Sequence, residues 1–210
     1  MIKGKGTNQY SRMPSVNRIY LIISIKRILE LNDKYQFISD FLNDRDKLEG
    51  IGLDVRAGEV YKLKGNSFLG ESGRITPESL LIGSFHTGPF DVTIKPLSFV
   101  IVKTIERVKL PSFKIKFKPT GKPTFIALDV YPRSTLHRCG IYLIATRSDP
   151  GYEGELVFGM ANLGSGNFKL ELGSRIANIV FKEVYGELTR PYSGNWKGGK
   201  VGTNGKLEKW

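Results

Sequence analysis

The feature that most limits the fold of this chain is a change of periodicity near residue 51. From there to about residue 186 the sequence is a series of short apolar runs rich in Val, Ile, Phe and Tyr. Examples are "FDVTIKPLSFVIVKTIERVKLP" (90–111), "PTFIALDVYP" (123–132), "GIYLIATRSDP" (140–150), "GELVFGMAN" (154–162) and "NFKLELGSRIANIVFKEVYG" (167–186). Each is bounded by Gly, Pro, Asn or Asp, the residues that close strands and open turns. "SFKIKFKP" (112–119) alternates apolar residues with Lys and predicts a half-buried strand with a solvated face. Many short strands with regular turn signals specify a sandwich or a closed barrel. Helical spacing is confined to the N-terminal part. Ile25, Ile28, Leu29 and Leu31 follow Ser24, a candidate N-cap, and a second short helix is expected over 34–42. The first dozen residues are polar and glycine-rich and are expected to be disordered.

The 210 residues suit one domain with some elaboration. The expected division is an N-terminal extension over 1–45, a β-barrel domain over 46–190 and a Gly/Lys-rich tail over 191–210. A formal net charge of +12 favours anionic partners, although it also describes a merely soluble, self-repelling surface. No strand interleaves aromatic and basic residues on one surface, so nucleic acid is not the expected partner. The single Cys139 excludes an intramolecular disulfide and a cysteine-based zinc site, and His86 and His137 are too few and too far apart for a metal cluster. No dedicated metal site is therefore expected. The apolar run "IYLIISI" (19–25) is far short of the ~20 residues of a membrane helix and has no cleavage pattern after it. No membrane association is expected, and a cytoplasmic location is.

Four segments carry chemistry. In "SDPGYEGE" (148–155), the Pro150-Gly151 turn can bring Asp149 and Tyr152 to one side, a carboxylate beside an exposed aromatic ring. The same residues also describe a plain hairpin loop whose Asp caps its own turn. "YPRSTLHRCG" (131–140) sets Arg133 and Arg138 around Ser134 and Thr135, a grouping able to hold a phosphate chain or simply to form a polar turn. "GIGLDVRAG" (50–58) puts Asp54 and Arg56 on one face of a strand. The tail "PYSGNWKGGKVGTNG" (191–205) mixes Gly, Lys and aromatics, which suits wrapping around phosphates or a mobile surface segment, and lacks the Walker spacing.

In order, these segments resemble the superfamily of trimeric dUTPases and dCTP deaminases. "GLDVRAG", "PRSTLHRCG", "SDPGYEGEL" and "LGSRIANIVF" resemble its first four motifs, and "RPYSGNWKGG" resembles the tail motif of the deaminase-like branch. The resemblance covers about residues 50–205 and matches 66–89 only weakly. It implies a distorted β-barrel or jelly-roll with short N-terminal helices, assembled as a homotrimer with each active site at a subunit interface. It further implies that Tyr152 stacks beneath a deoxyribose and that Asp149 holds or activates a water. Ser134 and Arg138 would contact phosphates, with Thr135 beside them and Arg133 supporting the loop. Arg175 and the tail, through Tyr192, Trp196 and Lys197, would complete a triphosphate pocket.

The superfamily supports two reactions. Hydrolysis of dUTP to dUMP and diphosphate needs a positioned water and a carboxylate base, with Mg²⁺ carried on the triphosphate. In the deaminases of this superfamily the protons are moved by a glutamate seven residues after the loop aromatic. Seven residues after Tyr152 stands Gly159, which has no proton to move, and Glu153 and Glu155 cannot simply replace that glutamate. The expected activity is therefore dUTP diphosphatase. The alternatives are a dCTP deaminase or bifunctional enzyme, and a catalytically weak nucleotide-binding regulatory homologue. The chain departs from the family pattern at Lys197 and Asn178, each in place of Gln, and at Ser148 in place of Ile.

Overall fold

The computed structural model describes residues 22–41, 50–117 and 122–209. In chain order the elements are β1 (Ile22–Ile23), α1 (Ile25–Tyr35), β2 (Ile38–Ser39), β3 (Leu53–Lys64), β4 (Phe68–Gly70), β5 (Gly73–Ile75), β6 (Glu78–Ser84), β7 (Asp91–Ile94) and β8 (Phe99–Lys109). They continue with β9 (Phe125–Pro132), α2 (Ser134–Arg138), β10 (Ile141–Ile144), β11 (Glu153–Asn162), β12 (Phe168–Glu171), β13 (Arg175–Val184) and β14 (Glu208–Lys209). The architecture is mainly β and every strand pairing is antiparallel. The large sheet runs β1-β13-β3-β8-β11-β10, with β2 joined to β8, β6 to β3 and β9 to β13. Two small sheets, β12-β7 and β14-β5-β4, flank it.

The inward positions are the ones the period-2 pattern selects. Along β11 burial alternates strictly, with Gly154, Leu156, Phe158, Met160 and Asn162 inside. Leu53, Val55, Val60, Val102, Phe158, Met160, Ile179 and Phe181 meet in one core, the layer an antiparallel barrel hides from water.

Ser24 caps α1 as expected, its hydroxyl accepting from Arg27 N at 3.4 Å. Ile25 and Ile28 are buried. The second helix expected over 34–42 is not formed in the described part of that range. α1 runs on to Tyr35, Gln36 closes it in the left-handed conformation, and Ile38–Ser39 pairs with β8. Asn32 explains the stop, because its side chain bonds both the N–H and the C=O of Ile38 and so holds the chain extended. Leu42, the first dozen residues and residues 19–21 of the apolar run over 19–25 lie outside the described residues.

In the described part of the range, 112–117, the strand expected over 112–119 is reduced to one bridge, Ile115 to Thr124, and residues 118–119 lie outside the described residues. Its alternation sorts burial only over 115–117, with Ile115 and Phe117 in the core and Lys116 outside, whereas Phe113 is exposed. Phe117 C=O is taken by the Arg27 guanidinium of α1 at 2.9 and 2.7 Å instead of by a neighbouring strand. The stretch over 66–89 forms the β4–β5 hairpin and β6.

Candidate functional site

The loop before β11 is fixed from three sides. Ser148 exchanges backbone hydrogen bonds with Leu128 of β9, and Gly151 N and Tyr152 C=O bond the two polar groups of Leu110. Pro150 and Gly151 form the turn, with Tyr152 N donating to Asp149 C=O at 3.1 Å. Gly151 has φ +95°, the backbone that the second central residue of a Pro-Gly turn requires and that glycine adopts without strain. The turn consumes the Asp149 carbonyl and leaves its carboxylate alone. That carboxylate is half-exposed and faces Arg147 Nε at 3.2 Å. It is not the cap of its own turn.

Tyr152 differs from the exposed ring that the sequence suggests. It is buried in the core, and the chain's own tail covers it. Its hydroxyl donates to Glu155 C=O at 2.5 Å, and the Tyr192 ring lies 5.8 Å away. Burial above all, then the nearby Tyr192 and Glu155, pushes the Tyr152 phenol up to about 12. Tail residues hold this cover in place. Tyr192 N donates to Pro150 C=O and Gly198 N to Glu153 C=O, both at 2.7 Å. Further along, Thr203 and Thr76 exchange hydrogen bonds, and β14 pairs with β5. A glycine-rich segment that reads as mobile from sequence is thus docked at both ends, because it finds unpaired backbone groups on β5 and on the 148–155 loop.

Between the docked ends the tail arches over a cleft of about 710 Å³ that contains Asp149. Arg74, Arg190, Tyr192, Trp196 and Lys209 also line it. Trp196 lies under the Arg74 guanidinium at 3.9 Å, and Arg74 pairs with Glu208 at 2.6 Å. Lys200 and Arg74 hydrogen-bond the Glu208 carboxylate and hold its pKa down to about 2. Lys197 is exposed, with its backbone N 3.5 Å from Gly194 C=O. Arg74 escapes a sequence reading because it sits in the stretch that matches no motif.

The second chemical group sits elsewhere in the chain. Arg133 precedes α2 and pairs with Asp54 at 2.5 Å. Asp54 also receives Asn178 Nδ2 at 3.0 Å and Arg175 NH1 at 3.4 Å, so the first, second and fourth motifs meet on one carboxylate. Ser134, Thr135 and Arg138 are exposed on α2, and Arg138 NH1 reaches Ser134 C=O at 3.2 Å. β9 separates this group from Asp149. Leu128 is bridged to Ser148, and Pro132 lies four residues, roughly 13 Å, further along the strand. One chain therefore carries two separate groups, a loop-and-tail cleft and an α2 group.

Arg56, two residues from Asp54, has a different partner. Its Nε meets Glu106 Oε1 at 2.6 Å and its backbone N meets Oε2 at 2.7 Å, and Glu106 is fully buried. The signal for this pair lay in β8, where Thr104 and Glu106 occupy inward positions of an otherwise apolar alternation. On the outward face of β11, Glu155 is held by Arg107 at 2.6 Å and Gly159 pairs with Ile144 and Ile101. Among the described residues there is no group of three or more His, Cys, Asp or Glu that could hold a metal ion. No helix among them is long and apolar enough to cross a membrane.

The fold is mainly antiparallel β, with an Asp-Pro-Gly-Tyr loop ahead of β11 and an Arg-Ser-Thr segment at α2 beside an Asp–Arg hub. A family model described as dCTP deaminase-like matches residues 22–184, and the chain belongs to that family. It is 32% identical over 154 residues to the probable deoxyuridine 5′-triphosphate nucleotidohydrolase of Aeropyrum pernix, covering 72% of this chain and 85% of that protein. It is 29% identical over 192 residues to the dUMP-forming dCTP deaminase of Sulfurihydrogenibium sp., covering 84% of this chain and 96% of that one. Among solved structures, the dCTP deaminase from Agrobacterium tumefaciens superposes with a TM-score of 0.57 at 17% identity. That match covers 81% of this chain and only 51%, about half the length, of the other.

Proposed function

We propose that this protein is a dUTP diphosphatase, converting dUTP and water to dUMP and diphosphate. The observation that carries the choice is Gly159. Relatives named for either reaction resemble the chain at about 30% identity, so overall likeness does not select between them. A deaminase must move protons between water, ring nitrogen and leaving amine. At the position where that branch has its glutamate, this strand has no side chain. Glu155, on the same face, is four residues and roughly 13 Å away and is engaged by Arg107.

Hydrolysis asks less of the protein: a held water, a base and neutralised phosphate charge. The half-exposed carboxylate of Asp149 takes a proton from water as the oxygen attacks the α-phosphorus. The bond from that phosphorus to the bridging oxygen breaks, and its electron pair leaves with diphosphate. Mg²⁺ enters on the triphosphate as part of the substrate. Ser134 and Arg138 grip the phosphates, with Thr135 beside them. Arg133 and Arg175 act through the Asp54 hub. Tyr152 forms the floor under the deoxyribose, so nucleotide entry displaces Tyr192 from it. Trp196 and Lys197 sit on the tail that folds back over the phosphates. Because the two groups are separated within one chain, a homotrimer that joins the cleft of one subunit to α2 of the next is part of this proposal, as is a cytoplasmic place of action.

The test is a nucleotide panel read for both products. Protein with Mg²⁺ should release diphosphate from dUTP, spare UTP and release no ammonia from dCTP. Ammonia from dCTP at a rate matching dUTP turnover would overturn the assignment. Binding of dUTP without release of either product would instead favour the regulatory homologue.

A further inference from the structure

Gly159 is not an empty position. A Cβ built there would stand 2.8 and 2.9 Å from the Phe99 ring carbons Cζ and Cε2, closer than carbon atoms pack. Phe99 begins β8, and its register partner on β11 is Ala161. From that diagonal position its ring reaches across and fills the side-chain space of Gly159. The surroundings are apolar. A continuous cross-strand row runs Ile144, Gly159, Ile101, Tyr61, Leu81 over five strands. The carboxylates flanking this row have partners: Glu59 has Lys103 and Tyr61, and Glu155 has Arg107 on its Oε1. Phe99 remains 40% exposed, so its outer surface faces whatever approaches the sheet.

We propose that Phe99 is a specificity-determining residue: seated in the side-chain space of Gly159, it presents an apolar wall to the pyrimidine and keeps a carboxylate away from it. This rests on the function proposed above, read with the base over this face, where the deaminase branch has its glutamate. The pair works as one unit. With Phe99 in place, a glutamate at 159 has no room to point at the base, and the ring must swing out to admit it. An apolar wall neither donates a proton to the ring nor draws one from an exocyclic amine, so the reaction is left to the phosphate end. Conversion toward cytosine chemistry therefore requires two changes, at 99 and at 159.

The experiment is a double-mutant cycle of Phe99→Ala and Gly159→Glu, read by melting temperature and by calorimetric binding of dUMP and dCMP. The substitution G159E should cost about 3 °C or more beyond its cost in the Phe99→Ala background, as expected for two groups competing for one volume. In the double variant the new carboxylate can accept from the cytosine 4-amino group and repels the uracil 4-oxygen. Its Kd ratio of dUMP to dCMP should shift at least about tenfold toward dCMP, while G159E alone should shift it little. Additive melting shifts would overturn the interlock. Coupled melting with an unchanged binding ratio would reduce Phe99 to packing and overturn its role in specificity. Neither readout needs turnover, so a protein that releases no diphosphate from dUTP but shifts its ratio as stated would retain this inference and lose the hydrolase reading.

Discussion

Asp149 and Tyr152 show how a two-residue turn, Pro150-Gly151, separates two environments. The Pro-Gly turn leaves the Asp149 carboxylate in the cleft, paired with the exposed Arg147, while Tyr152 is carried into the core. Asp149→Asn keeps the size and removes the base, so diphosphate release should fall by about 10² or more with dUMP affinity within a few-fold of wild type. Steady-state assay and calorimetry check it, and a fully active variant would remove Asp149 from the mechanism. Tyr152 gives a pH prediction. Its folded pKa, about 12, lies above the ordinary phenol value of 10.0. A raised pKa favours the neutral form, so this contribution to stability is complete below pH 10 and is lost as pH rises toward 12. Tyr152→Phe should flatten the alkaline limb of a plot of melting temperature against pH, measured between pH 9 and 12.

At the level of elements, the chain's end behaves as a strap and β14 as its anchor. Glu208 ties Arg74 of β5 to Lys200, and its pKa of about 2 lies below the ordinary 4.5. A lowered carboxylate pKa gives support that is present above pH 4.5 and lost as pH falls toward 2. Glu208→Gln should therefore loosen the strap already at neutral pH. The measurement is the rate of proteolytic cleavage within 185–209, which should rise several-fold while the core stays resistant. In the barrel, the buried Arg56–Glu106 pair has the opposite character. Glu106→Gln leaves a buried guanidinium short of its partner and should cost about 3 kcal/mol, read from denaturant unfolding. Alternation made β7 to β13 legible, since Val, Ile and Phe at every second position fix which face is inside. It misjudged 112–117, where the pattern sorts burial only from Ile115 to Phe117 and Arg27 occupies the carbonyl a ladder would need. It also misjudged 34–42, where Asn32 ends the helix through a contact with Ile38.

For the whole molecule, the separation of Asp149 from Ser134 and Arg138 along β9 has a direct consequence. If the site joins two chains, Asp149→Asn and Arg138→Ala subunits, each inactive alone, should complement when co-refolded. Random mixing in a cyclic trimer should restore about a quarter of the activity, because one site in each mixed trimer pairs an intact loop with an intact helix. Sedimentation should give a single species of three times the chain mass. Absence of complementation from verified mixed oligomers would place the working site within one chain.

Sequence alone determined the mainly β architecture, the Ser24 cap, the Pro-Gly turn with its glycine and the absence of an acid at 159. These depend on local periodicity, backbone preference or residue identity, and each is settled within a few positions. Tertiary structure alone decided that Asp54 gathers Arg133, Arg175 and Asn178, that Arg56 turns instead to Glu106, that the tail docks on β5 and covers Tyr152, and that Phe99 fills the space of Gly159. Each of these joins residues tens of positions apart, through ladder register and free volume, and neither quantity exists until the strands have paired.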